Sequence, residues 1–266
     1  MRSWNKLIIL GVLLSTILIV SIVFSSGVID VLKLSSGGSP ESSPLSSSTP
    51  EVFVDPSSII KDYVNDPGYQ IGNTFEVYVN VTDATDLFAW QINMSWDTSM
   101  LNVSSIIADE FLNRTNPTAN TTSHELGFVI NVTDNAMGYT AMGESILGGD
   151  TGVNGSGRLI TIEFQVVGYG CTELTIISAG GDLPTTLLNS TTDSMAFTMT
   201  VGYFRNKLQG DTDANQVVDG ADISVVIYHR DAGGPGGYDR NVDIDDNTAI
   251  DGADISLVIA NRGRHT

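Results

Sequence analysis

The stretches GNTFEVYVNV (residues 72–81) and DLFAWQINMSW (residues 86–96) place apolar side chains at alternate positions. Phe75, Val77, Val79 and Val81 alternate with Glu76, Tyr78, Asn80 and Thr82; Phe88, Trp90, Ile92, Met94 and Trp96 repeat the pattern. Successive side chains of an extended chain point to opposite faces, so each stretch reads as a strand that covers a core with one face. Further runs occur at Phe128, Ile130 and Val132; at Ile160, Ile162, Phe164 and Val166; at Leu174 and Ile176; and at Phe197, Met199 and Val201. Turn residues separate these runs and few helical stretches intervene. The expected fold is mainly β, an antiparallel β-sandwich over residues 51–204, with enough chain to close one core.

Beyond this region the pattern changes to an internal repeat at an offset of 32 residues: DTDANQVVDGAD (211–222) recurs as DIDDNTAIDGAD (243–254). Oxygen-bearing side chains fall at loop positions 1, 3, 5, 9 and 12, the spacing that lets a tight loop wrap a hard cation such as Ca²⁺. Asp211, Asp213 and Asn215 are the expected side-chain ligands of the first loop, with the Val217 carbonyl, Asp219 through water, and Asp222 closing the shell. Asp243, Asp245, Asn247, Ala249, Asp251 and Asp254 take the same roles in the second. Position 6, where Gly commonly makes the turn, is Gln216 or Thr248, which predicts some backbone strain. Ile223, Val226 and Ile227, and again Ile255, Val258 and Ile259, follow at helical spacing, so each loop feeds a short amphipathic helix.

Paired loops of this length, with Asp at position 12 and an apolar helix after each, resemble the dockerin module. The resemblance implies a small α-helical module over residues 205–266, folded by two Ca²⁺ in EF-hand-like loops, that plugs into cohesin domains. It also implies that positions 10 and 11, here Gly220 with Ala221 and Gly252 with Ala253, help to choose the partner. The order GNTFEVYVNV, DLFAWQINMSWDTSML and GSGRLITIEFQVVGYG (155–170) is in turn similar to cohesins. That likeness implies a jelly-roll-like sandwich which receives dockerins on one sheet face; it assigns no particular binding residue.

At the other end, Arg2 and Lys6 precede an uncharged run from Leu7 to Phe24. Its length, about 27 Å as a helix, just spans a hydrocarbon core. Residues 1–26 are therefore expected to be an N-terminal transmembrane anchor or a cleaved signal peptide, with the rest of the chain outside. Residues 27–50 form a Ser/Pro-rich linker, too poor in apolar groups to offset the entropy of ordering.

Eight Asn-x-Ser/Thr sequons lie in the sandwich region, at Asn80, Asn93, Asn102, Asn113, Asn120, Asn131, Asn154 and Asn189. Those at Asn80, Asn93 and Asn131 are expected on the polar side of their strands, as glycan acceptors must be. The formal charge of −19 disfavours nucleic acid as a partner. Eight carboxylates occupy positions 1, 3, 9 and 12 of the two loops and Asp246 adds a ninth; two Ca²⁺ would neutralise four of those charges. The single Cys171 admits no intrachain disulfide and reads as a packed strand residue. No GxSxG or HExxH motif occurs and His124 stands alone in the sandwich, so no catalytic residue is assigned.

Three functional classes remain. The preferred one is a cell-surface assembly protein, whose partners are cohesin or dockerin modules of other surface proteins or further copies of itself, head to tail. The others are a carbohydrate-binding surface protein, with Tyr63, Tyr69, Tyr78 or Tyr139 as platforms for polysaccharide, and a calcium-stiffened envelope protein whose repeat packs against the sandwich. Attachment to the membrane through the N-terminal helix, or secretion after cleavage, is expected in each case.

Overall fold

Eleven strands carry the described part of the chain: β1 (Glu51–Asp55), β2 (Ser58–Lys61), β3 (Thr74–Ser95), β4 (Leu101–Ala108), β5 (Glu125–Asp134), β6 (Tyr139–Leu147), β7 (Val153–Val166), β8 (Cys171–Ile176), β9 (Thr186–Asn189), β10 (Thr198–Thr200) and β11 (Gly202–Asn206). They come from a computed structural model that describes residues 49–112, 125–148, 151–178, 183–230 and 236–265. The expected membrane run, most of the linker, His124 and the sequons at Asn113 and Asn120 lie outside the described residues. Among those described, no helix is long and apolar enough to cross a membrane.

The two alternating runs that suggest separate strands are one strand with a bend. The first half of β3 lies between β1 and β7; after register shifts at Val81/Ala84 and Ala84/Leu87 its second half pairs with β6 and β9. Asp83 and Asp86 sit at the bend with φ of 52° and 60°, a region that short acidic side chains tolerate better than most. The Asp86 carboxylate fixes the corner by accepting from the Ser190 hydroxyl at 2.6 Å and from the Gly152 amide at 2.6 Å. These bonds hold its carboxyl below the usual range, that from Ser190 having the largest effect. One strand thus serves both layers of the sandwich. Val77, Val79, Trp90, Ile92, Met94, Ile162 and Phe164 meet in the shared core. Phe75 stacks on Phe204 with centroids 4.7 Å apart, and Trp96 meets Phe164 edge-on while its Nε1 donates to the Leu101 carbonyl.

Four details depart from the alternation. β1 with β10 and β2 with β11 pair in parallel, so the sandwich is not wholly antiparallel. A register shift between Phe128 and Ile130 turns the end of β5 over, so that Val132, expected inward, is 40% exposed. Of the run Phe197, Met199, Val201 only the middle is a strand, and Val201 is exposed, because β10 pairs with β1 alone. Finally, β11 continues past the boundary expected after Phe204, carrying Arg205 and Asn206 into the sheet.

The repeat forms two helices, α1 (Gly220–His229) and α2 (Gly252–Asn261). Each begins with a reciprocal cap: the Asp219 or Asp251 carboxylate accepts a first-turn amide, and the Asp222 or Asp254 carboxylate accepts the amide of the capping residue. Val226 and Val258 pack with Leu208, Val218, Val242, Ile244, Ile250 and the sandwich-borne Tyr63 in a second small core. Ser47–Thr266, sandwich and repeat together, form one compact unit.

Candidate metal centres and binding faces

Within each loop three carboxylates converge. Asp211, Asp213 and Asp222 each offer an oxygen within 4.8 Å of the others, as do Asp243, Asp245 and Asp254. In both trios the middle residue is exposed and the outer two are buried. The backbone sets this up by itself. Asp222 accepts from the amides of Thr212 (2.7 Å) and Asp219 (2.8 Å), and Asp254 accepts from those of Ile244 (2.7 Å) and Asp251 (2.8 Å). Asp211 accepts from the Gln216 amide at 2.9 Å and Asp243 from the Thr248 amide at 2.8 Å. Asn215 and Asn247 brace the turn by accepting from the amides of Val217 and Ala249, while their Nδ2 groups donate to Asp213 and Asp245. Asp219 and Asp251 stand apart from the trios; their carboxylates cap the helices on Ala221 and Ala253.

The strain expected from the missing Gly is present in both loops. Gln216 and Thr248 have φ of 70° and 71°, and Ala214 and Asp246, at position 4, have 59° and 55°. The electrostatics are equally costly. Ionised carboxylates within 4.8 Å of one another repel by about 3 kcal/mol for the buried pair of each trio at an effective dielectric near 20, and by less for the pairs with the exposed, solvent-screened middle residue. Burial raises the carboxyls of Asp211 and Asp245 above their usual range, and the neighbouring charges of Asp222 and Asp254 add to this. Oxygen donors alone, several of them charged and converging on one point, fit a hard divalent cation of the Ca²⁺ type.

Gly220, Ala221, Gly252 and Ala253 are all exposed at the starts of the helices, beside the exposed Ser224 and Ser256. The helical spacing did not reveal the exposed apolar pair. Ile227 and Ile259, expected in the core, are 56% and 57% exposed at matching positions. Each ten-residue helix seats only one Val fully in the small core, so the second apolar position turns outward.

The repeat is not an independent bead. From β11, Arg205 donates through Nη1 to the Asp243 carbonyl and through Nη2 to the Ile244 carbonyl, both at 2.8 Å. Tyr203 donates to Asn241 Oδ1 at 2.8 Å, and the buried Lys207 Nζ donates to the Asn241 carbonyl at 3.1 Å. At the other side of the junction the Arg264 guanidinium pairs with Asp62. The short connection after Phe204 is consistent with this arrangement: it carries the repeat onto the β2–β11 edge of its own sandwich.

Among the surface readings, Asn131 and Asn154 are exposed, and Asn80, Asn102 and Asn189 are partly so. Asn93 is a correction. It is only 5% exposed, because residues 183–185 lie over it, with its Nδ2 donating to the Leu183 carbonyl and its backbone bonded to Thr185 Oγ1. Of the four tyrosines named as platforms, Tyr139 is half-buried at the start of β6 and the other three are engaged within the fold. Tyr63 is 3% exposed and stacked on Tyr169, Tyr69 packs against Phe75 and Phe204, and the Arg158 guanidinium covers the Tyr78 ring at 3.5 Å. Cys171, on β8, is half-buried as expected, and burial pushes its thiol up.

The family model for the cohesin domain matches residues 64–202, more than half of the chain. The chain belongs to the cohesin family. The match takes in β3 to β10 and ends at Gly202, so the repeat module lies beyond the matched cohesin domain. Among solved structures, the cohesin domain is similar to the third cohesin of an Acetivibrio cellulolyticus scaffoldin, solved in complex with a dockerin (17% identity, 60% of this chain and 99% of that one, TM-score 0.45). It is also similar to a non-cellulosomal cohesin from the hyperthermophilic archaeon Archaeoglobus fulgidus (14% identity, 62% and 96%, TM-score 0.41). A third is the cohesin of a type I cohesin–dockerin complex from Clostridium thermocellum (14% identity, 60% and 99%, TM-score 0.42). A search of curated proteins finds no match.

Proposed function

We propose that this cohesin-family protein is a calcium-dependent assembly protein of the cell surface, whose sandwich receives a dockerin module and whose own repeat is a dockerin-like plug. The observation that carries the plug reading is the matched exposure of Ile227 and Ile259. Two apolar side chains at equivalent positions, each on a helix that starts with small exposed residues, make two similar faces suited to a protein groove. Asp211, Asp213 and Asp222 would hold one Ca²⁺, and Asp243, Asp245 and Asp254 the other, with Asn215, Asn247 and the Val217 and Ala249 carbonyls as further donors. The bound charge would relieve the repulsion within each trio and so favour the loop geometry from which the helices start. The repeat's contacts with its own sandwich support a stiff unit of two modules rather than a flexible string. With Tyr63 buried, Tyr69 packed on the core and Tyr78 covered by Arg158, three of the four tyrosines named for the carbohydrate reading are engaged elsewhere. A membrane anchor or signal at the N-terminus would place the unit outside the cell.

The test is capture of cohesin-bearing protein from native membranes by the full chain, with Ca²⁺ and with chelator. Capture in Ca²⁺ that is lost with chelator supports the proposal. Ala221→Arg and Ala253→Arg should each be tolerated while the double variant abolishes capture, because either face suffices. Capture indifferent to both chelator and the double variant would refute the plug reading.

A further inference from the structure

The two loops are near copies in sequence, yet the sandwich touches them unequally. The second loop receives the Arg205 fork on the carbonyls of its first two residues. Its position-4 residue, Asp246, is held in the left-handed region by Arg240 Nε at 3.1 Å and by the Ser58 hydroxyl of β2 at 3.1 Å. Arg240 itself lies over the Tyr203 ring of β11, 4.2 Å from the centroid, so it too ties loop to sandwich. In the first loop the corresponding strained residue is Ala214, whose side chain can make no polar tie, and among the described residues the carbonyl at position 2 accepts a long bond from Lys207 Nζ, at 3.5 Å, in place of a guanidinium fork.

We infer that the β2–β11 edge of the sandwich is a docking surface for the second loop, and that docking and cation loading of that loop are one coupled equilibrium. Arg205 is 5% exposed. A buried guanidinium that loses its acceptors pays the cost of an unsatisfied charge, so loop and sandwich hold together or part together. The fork, together with the grip on Asp246, fixes the first four residues of the loop in the conformation that brings Asp243 and Asp245 to Asp254. The second loop therefore starts closer to its loaded shape than the first and binds its cation more tightly. By reciprocity, loading the second loop strengthens docking by the same factor. Removal of the cation frees the repeat to swing away from the sandwich, which makes the unit rigid in Ca²⁺ and hinged without it. This inference deepens the proposed calcium reading and rests on it.

Hydrogen exchange of the full chain, followed by mass spectrometry during a titration with Ca²⁺ alone, resolves the two loops as separate peptides. The 243–254 segment should gain protection at lower Ca²⁺ than the 211–222 segment. Arg205→Met should raise the midpoint of the second loop at least ten-fold while leaving the first within two-fold, and Arg205→Lys, with a single-point donor, should fall between. Should Arg205→Met expose β8 and β11 to exchange, Ser58→Ala combined with Arg240→Met strips the same loop from its surface and should shift the second midpoint alone, at least three-fold. An unchanged or lowered second midpoint, or equal shifts at both loops, would overturn the inference. If neither loop gains protection in the unaltered chain, the calcium reading itself falls, and the coupling with it.

Discussion

Replacing Thr248 with Gly should tighten Ca²⁺ binding at the second loop. Thr248 sits at φ 71° with its amide donating to Asp243 Oδ2 at 2.8 Å, a bond that Gly keeps. A side chain in the left-handed region costs roughly 1–2 kcal/mol through the crowding of Cβ against the following carbonyl. Gly returns about 0.4–1 kcal/mol of this through the greater freedom of the unfolded chain. The net gain is about 1 kcal/mol, or roughly five-fold in affinity, because the strain is incurred when the loop adopts its binding shape. Gln216→Gly removes nearly the same angle, 70°, from the first loop. The β-branch of Thr makes its strain the larger, so the second-loop effect should exceed the first. Competition against a fluorescent chelator reads both. Unchanged or weaker binding in Thr248→Gly would show that the positive φ carries no cost here, and the strain argument would fail.

Phe204→Ala, which empties a fully buried site stacked on Phe75, should cost about 3–5 kcal/mol in denaturant unfolding of the sandwich. Glu144 faces the core with a carboxylate oxygen that has no partner among the described residues, and burial, aided by the charge of Asp109, raises its carboxyl above the usual range. Because the folded state favours the protonated acid, the stability it contributes is full below pH 4.5 and is lost as pH rises through the folded value. Glu144→Gln should accordingly raise the thermal midpoint at pH 7.5 and give no gain at pH 4. Glycan mapping of protein from a glycosylating host should find Asn154 occupied and Asn93 empty, since Asn93 is covered by residues 183–185.

The period-two runs expose the strands because each strand buries one face, and residues 75–81 and 160–166 do so without interruption. Where the chain bends or slips, the pattern misleads. The bend at Asp83 and Asp86 looks like a turn between strands, and the slip at Phe128/Ile130 sends Val132 outward although the local sequence still alternates. Asn93 reads as a surface residue by parity, and only a distant segment, 183–185, decides otherwise. The loops are legible because their geometry is local: each carboxylate is aimed by amides within ten residues of it. Arg205 carries no local signal of its contact, since its acceptors lie 38 and 39 residues away. The outward turn of Ile227 and Ile259 depends on how little core two short helices can share, which periodicity does not measure.

Calorimetric titration of the full chain with Ca²⁺, with circular dichroism recorded on the same samples, tests the central claim most directly. The account predicts two ions per chain between micromolar and millimolar Ca²⁺, a gain of helical signal on binding, and loss of both in Asp222→Ala with Asp254→Ala. Absence of heat and of spectral change up to millimolar Ca²⁺, or retention of both in the double variant, would contradict it.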